Sequence, residues 1–266
     1  MTTIAASQVS DVFLVWLAGL NFDVAAVLVI LPAVILAMVS TVVMRSVLII
    51  STSSQSSVGV SKISITAEIF AALLGFIVVV GFSDFRATER VVLKEAAAVE
   101  RVLERAEAMG ELGAGVAIAS RAYAAAVAGR EWQELSVARI PVKPPAALAA
   151  MRAAIGGLGD TAADQGELKD LANTIEQLRI DRITAVPSST VAGVLTWIFA
   201  LGIGATVIVG WFLRGPSLAV HAVLAGGLAG VMVALLILSM QFLYPFSGPV
   251  AISNAPFVAI GQAAIP

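Results

Sequence analysis

The stretch "FAALLGFIVVVGFSDFRATERVVLKEAAAVERVLERA", residues 70–106, decides the fold. From Phe70 to Ser83 it carries no charge. From Asp84 onward Arg, Lys and Glu alternate with apolar residues. Val92, Ala96, Val99, Leu103 and Ala106 follow a 4-3-4-3 spacing that puts them on one helical face. No proline interrupts the run. The reading is one helix that begins in hydrocarbon and continues to about Met109 as an amphipathic helix packed on a partner. A kink at Gly81 is the alternative.

The rest of the chain agrees with a membrane origin. It is 59% hydrophobic and 13% charged, against roughly 25% charged in soluble domains. Its mean hydropathy is +0.97. Four stretches reach the ~20 residues that a helix needs to cross about 30 Å of hydrocarbon. They run from about Val24 to Met44, Ile65 to Phe82, Val191 to Leu213 and Leu218 to Leu243. Arg45, Lys62, Asp84 and Arg214 stand at their ends, where charge reaches the headgroups. "DVFLVWLAGL", residues 11–20, is too short to cross. It is either an interfacial helix anchored by Trp16 or an extension of the first span, with Asn21 and Asp23 as a break. Residues 1–10 carry no Lys or Arg, so a cleaved signal peptide is not expected.

Polar chemistry is confined to residues 84–187. Outside them the only basic residues are Arg45, Lys62 and Arg214, and the only acidic ones Asp11, Asp23 and Glu68. Helical patterns cover about Gly115–Leu135, Ala146–Ile155 and the stretch with Leu168, Leu171, Ile175 and Leu178. The Pro-rich "RIPVKPPAAL", 139–148, and "GGLGDTAADQGE", 156–167, connect them. The expected organisation is all-α and polytopic. Residues 1–83 hold the first two spans and 84–187 a cytoplasmic helical region. Residues 188–244 hold the last two spans, and 245–266 form an uncharged tail. Arg86, Arg90, Lys94, Arg179 and Arg182 against Arg45, Lys62 and Arg214 favour a cytoplasmic insertion, amino terminus and tail in a bacterial inner membrane.

Candidate chemistry is sparse. A net charge of −2 gives no ground for a nucleic-acid partner. Without cysteine there is no thiolate metal site, and the single His221 lacks clustered carboxylates, so no metal or cofactor is expected. Ser217 lies one turn before His221 with no acid nearby in sequence, a poor start for a hydrolase, and no enzymatic activity is expected. Gly202 and Gly204 lack the strand and lysine of a phosphate loop. Glu68, near the start of the second span, is either a pathway residue or a carboxylate at the headgroups. Phe70, Leu74, Val78 and Phe82 recur every four residues. On an oligomer axis they would form an apolar constriction, and facing lipid or another helix they are ordinary. Ala67, Ala71 and Gly75, and Ala222, Gly226, Gly230 and Ala234, are small-residue stripes for close helix packing. Tyr123 and Trp132 are either contact residues or packed aromatics. Pro245 ends the fourth span, and the uncharged tail is expected to fold back on the polar helices or a neighbouring subunit through Phe246 and Phe257.

The quoted stretch, "RAYAAAVAGREWQEL" at 121–135 and "PFSGPVAIS" at 245–253, in that order, resemble the bacterial bestrophin-like membrane proteins over about residues 60–253. That family often carries an acidic residue where Leu243 stands here, two before the proline. The resemblance implies an analogy with bestrophins, pentameric anion channels whose second helix lines the pore, and Phe70, Leu74, Val78 and Phe82 would then be the neck. The expected function is an oligomeric ion channel for anions, in a lipid bilayer. The alternatives are a non-conducting scaffold or accessory subunit of a larger membrane complex and, third, a transporter using Glu68.

Overall fold

The computed structural model describes residues 13–47, 56–141, 143–159, 165–187 and 217–262, with residues 194, 197, 198, 201, 202 and 204 in between. All regular elements among them are helical. The chain is an all-α polytopic membrane protein with four membrane helices and a helical insertion between the second and third. Most of the expected third span, Val191–Leu213, lies outside the described residues. By length and apolarity four described helices qualify as spans, and one of them, Gly110–Ser136, falls between the expected second and third. It belongs to the insertion, because it carries the ion-paired Arg121, Arg130 and Glu131 and packs on polar-region helices. Two compact units form, Met1–Ser83 with Ser188–Leu243, and Asp84–Pro187 with Tyr244–Pro266.

In the first unit, helix α1 covers 13–19 and ends before Asn21, so residues 11–20 do not extend the first span. Leu14, Leu17 and Ala18 are buried, and the Nε2 of Gln241 donates to the Leu20 carbonyl at 3.1 Å. Helix α2 (Phe22–Ala25) passes through a π-helical turn, Ala26–Ile30, into α3 (Leu31–Val47). Helix α9 (Leu218–Leu243) packs on α3. Contact is close where α9 has no side chain. A Cβ on Gly230 would lie 2.9 Å from Val34 Cγ2, and one on Gly226 would lie 2.7 Å from Met38 Cγ. Ala222 is buried beside them and Ala234 half-buried. Backbone proximity of this kind maximises dispersion contact where no hydrophobic force acts between helices. The far side of α3 remains exposed through Leu31, Ile35, Leu36, Val39 and Val43.

Helix α4 (Ser56–Ala108) is continuous, with no break at Gly81. Its first part belongs to the first unit and its second to the insertion. In the second unit Val92, Ala96, Val99, Leu103 and Ala106 are all buried. The chain reverses through a 3-10 turn, Gly110–Gly113, where Gly110 adopts φ +61 and a Cβ on Gly113 would overlap the Ala106 carbonyl oxygen at 1.8 Å. Helix α5 (Ala114–Ala126) follows, then a π-helical turn, Val127–Glu131, and α6 (Trp132–Ser136). Helices α7 (Ala146–Gly156) and α8 (Gln165–Thr184) complete the insertion, and α10 (Ala255–Gln262) from the tail packs on α5. Leu148, Met151, Ile155, Leu168 and Ile175 are almost fully buried, each contributing about 1.5–3 kcal/mol by leaving water. The buried face of α8 is Leu168, Ala172, Ile175, Arg179 and Arg182, whereas Leu171 and Leu178 are only half-buried. The expected apolar stripe therefore gives way to arginine at its carboxy-terminal end.

Candidate functional site

Two features have chemistry to offer, and each belongs to one unit. The first is the outer face of the second span. Ile69, Leu73, Phe76 and Val80 are 57%, 55%, 67% and 39% exposed, and their spacing of four, three and four keeps them on one side of α4. Leu74, on the opposite side, is buried within the chain's own first unit, and Val78 is half-buried. Phe82 is half-exposed and meets Phe242 edge-on at 5.4 Å, beside Gly81, whose Cβ position is 3.5 Å from Phe242 Cβ. Glu68 is exposed, as are Ala71 and Gly75, and the side chains of Ala67 and Phe70 lie outside the described ones. A spacing of four drifts about 40° per step on a helix of 3.6 residues per turn, so Phe70 to Phe82 sweep across a broad sector rather than hold one line.

Ser217 Oγ accepts the Val220 N–H at 3.3 Å, the arrangement of an N-cap, and His221 is buried inside α9. No group of His, Asp and Glu suited to a metal occurs among the described residues.

The second feature is a buried cluster of charge. Arg182 is wholly buried; its Nε donates to Glu95 Oε2 at 2.7 Å, and its Nη2 to Glu95 Oε1 at 3.2 Å and to Glu131 Oε2 at 2.7 Å. Arg179 donates from Nε to Glu131 Oε1 at 2.8 Å, pairs with it again through Nη2, and reaches the Lys143 carbonyl at 3.2 Å. Tyr123 donates its hydroxyl to Glu95 Oε1 at 2.7 Å. Two carboxylates and two guanidinium groups thus cancel. Arg182 also lies 5.9 Å from the ring centres of both Trp132 and Phe257. Trp132 is in turn met edge-on by Phe246 at 5.3 Å and by Phe257 at 6.2 Å. All four expected contact residues, Tyr123, Trp132, Phe246 and Phe257, are therefore buried inside one unit, with Phe246 joined to the cluster through Trp132.

Burial, and next the adjoining Glu95 carboxylate, hold the Tyr123 phenol well above its usual range, with Arg182 opposing. For Arg182 burial alone would weaken proton binding, but Glu95, by charge and by hydrogen bond, and then Glu131 outweigh it and raise its pKa further. The cluster is closed to solvent. It has the attributes of a structural lock and offers no accessible nucleophile or base. Sequence reasoning passed over Glu95 and Glu131 and read Arg179 and Arg182 only as charge near the membrane. Their signal was positional, since Glu95 falls between Val92 and Val99, and Arg179 and Arg182 continue the spacing of Leu168 and Ile175.

The comparisons agree with this architecture. Two crystal structures of a membrane protein, each of a proline-to-alanine variant, share the fold with TM-scores of 0.69. The first is 15% identical and covers 88% of this chain and 96% of its own, and the second is 12% identical and covers 89% and 99%. No curated protein matches the chain. The model of the Bestrophin-like domain matches residues 27–257, from the first span to the start of the tail helix, and the chain belongs to the Bestrophin-like family.

Proposed function

We propose that the protein is an oligomeric ion channel, selective for anions, whose second membrane helix lines the pore. The observation that carries this reading is the apolar face of α4 at Ile69, Leu73, Phe76 and Val80, exposed among the described residues in a protein of bestrophin-like fold. Arranged around an axis, such a face makes a constriction that gates by dewetting, and selectivity comes from width and field rather than from a bound cofactor. Of the stripe Phe70, Leu74, Val78 and Phe82, Leu74 is covered by its own chain, so the line through Leu73 and Phe76 is the better candidate for the axis. The excess of Arg and Lys near the membrane on the insertion side supports a cytoplasmic insertion in a bacterial inner membrane.

Planar-bilayer recording of the purified protein tests the proposal. An anion conductance supports it, and silence at every voltage and Ca²⁺ level rejects it. The chain has no cysteine, so single cysteines at Leu73, Phe76 and Leu74 report cleanly. Block by a water-soluble thiol reagent is expected at Leu73→Cys and Phe76→Cys and not at Leu74→Cys. Extraction with other proteins in place of a closed homo-oligomer would favour the non-conducting subunit.

A further inference from the structure

The π-helical turn Val127–Glu131 and the tail are built for each other. In an α-helix the Trp132 N–H would donate to the Ala128 carbonyl. Here it bypasses that oxygen and goes to Val127 and Gly129. The donor that Ala128 receives comes from 126 residues away, where the Nδ2 of Asn254 reaches its carbonyl at 2.9 Å. Asn254 precedes α10, and its backbone carbonyl accepts the N–H groups of Phe257 and Val258 at 3.0 and 3.1 Å. At that position an asparagine side chain ordinarily caps its own helix. Here the side-chain nitrogen, which takes no part in such a cap, donates to the neighbouring π-turn.

The surrounding contacts point the same way. Ser247 Oγ donates to the Ser136 carbonyl at 2.6 Å, just beyond the turn. Gly261 lies against the backbone just before it, where a Cβ would come within 3.2 Å of the Ala125 nitrogen. Phe246 and Phe257 close on Trp132, the first residue after it. The tail therefore touches the helix before, within and after the extra residue. What the turn delivers is Glu131, whose two carboxylate oxygens hold Arg179 and Arg182.

We propose that the segment Phe246–Gly261 is a latch that stabilises the π-helical form of Val127–Glu131 and thereby holds Glu131 on the two arginines. A π-turn is one residue more than an α-turn, and relaxing it rotates the chain beyond by about 100° and moves it by about 1.5 Å. Glu131 and Trp132 cannot both keep their places through such a change. The latch makes the carboxy-terminal segment a control element for the buried ion-pair cluster, so that whatever withdraws the tail also unfastens Glu131.

Hydrogen exchange on the full-length protein, read by mass spectrometry, tests this. Asn254→Asp keeps the shape but replaces the donor by a carboxylate facing the Ala128 carbonyl. Exchange of the amides between 127 and 136 is expected to rise at least tenfold, with those of 146–156 unchanged; equal exchange at 127–136 overturns the proposal. Deleting Ala128 supplies the second arm, since it removes the extra residue while keeping both flanks in register. In that background Asn254→Asp is expected to change nothing. If it loosens the chain there as it does in the parent, the tail is not acting through the π-turn and the latch is rejected.

Discussion

The two units of this chain are held together by opposite means. In the first, α3 and α9 meet at glycines, with Val34 and Met38 filling the space a side chain would take. In the second, two glutamates and two arginines are buried together and ringed by aromatic groups. Where lipid is the alternative solvent, apolar contact has no hydrophobic advantage and close approach must supply the attraction. Where water is the alternative, apolar burial is favourable by itself, and buried charges add geometry more than stability. One unit is sensitive to volume, the other to unpaired charge.

That contrast can be broken most severely at Arg182. Removing one partner, as in Glu95→Leu, leaves two buried guanidinium groups sharing the Glu131 carboxylate and is expected to cost about 3–5 kcal/mol in thermal or denaturant unfolding. Replacing both in Glu95→Leu with Arg182→Met should recover much of the loss; no recovery would mean that charge balance is not what the site requires. Next in size is overpacking of the first unit. Gly230→Ala and Gly226→Ala should each cost about 1–3 kcal/mol or less, with Gly230 the worse. Val34 is β-branched and stiff, whereas Met38 can rotate away. The reverse order in melting temperatures would place the tightest contact elsewhere.

Smaller is Tyr123→Phe, which leaves Glu95 short of one donor at about 1–3 kcal/mol. Because the folded chain raises this phenol's pKa, its contribution is complete below about pH 10, the unfolded value, and fades as pH rises toward the folded one. The parent should therefore lose stability above about pH 10 faster than Tyr123→Phe, which parallel melts at pH 8 and pH 11 would show. Smallest is Arg130→Ala. Its ion pair with Glu134 belongs to a side chain that is 88% exposed, so a change of about 0–1 kcal/mol is expected, and less at high salt.

Much of the fold was legible because membrane helices and amphipathic helices both announce themselves by apolar pattern. Val92 to Ala106, the continuous α4 and the apolar residues of the tail follow directly from it. The charge cluster did not, because Glu95 and Arg182 look like surface residues to any rule that reads polarity as exposure. Only their register among buried neighbours distinguishes them. The π-turn was hidden for another reason. One inserted residue leaves composition untouched, and "VAGRE" at 127–131 reads as ordinary helix. On the second span a stripe of four-residue steps was visible, but period alone does not say which sector of α4 its own chain covers. That depended on Leu74 and Phe242, contacts between segments far apart in sequence.

The Asn254–Ala128 bond joins positions 126 residues apart. At about 5–20 residues per second, roughly 6–25 s of synthesis separate the two. In the later part of that interval, once Arg182 has been made, the nascent insertion has its arginines and Trp132 but not the rings and amide that finish their enclosure, while the remaining membrane segments are still being inserted. The ribosome thus delivers the closing piece after the helices that it closes. A prematurely terminated product would leave an open aromatic and ionic pocket as a mark by which quality-control proteases could tell it from the finished chain.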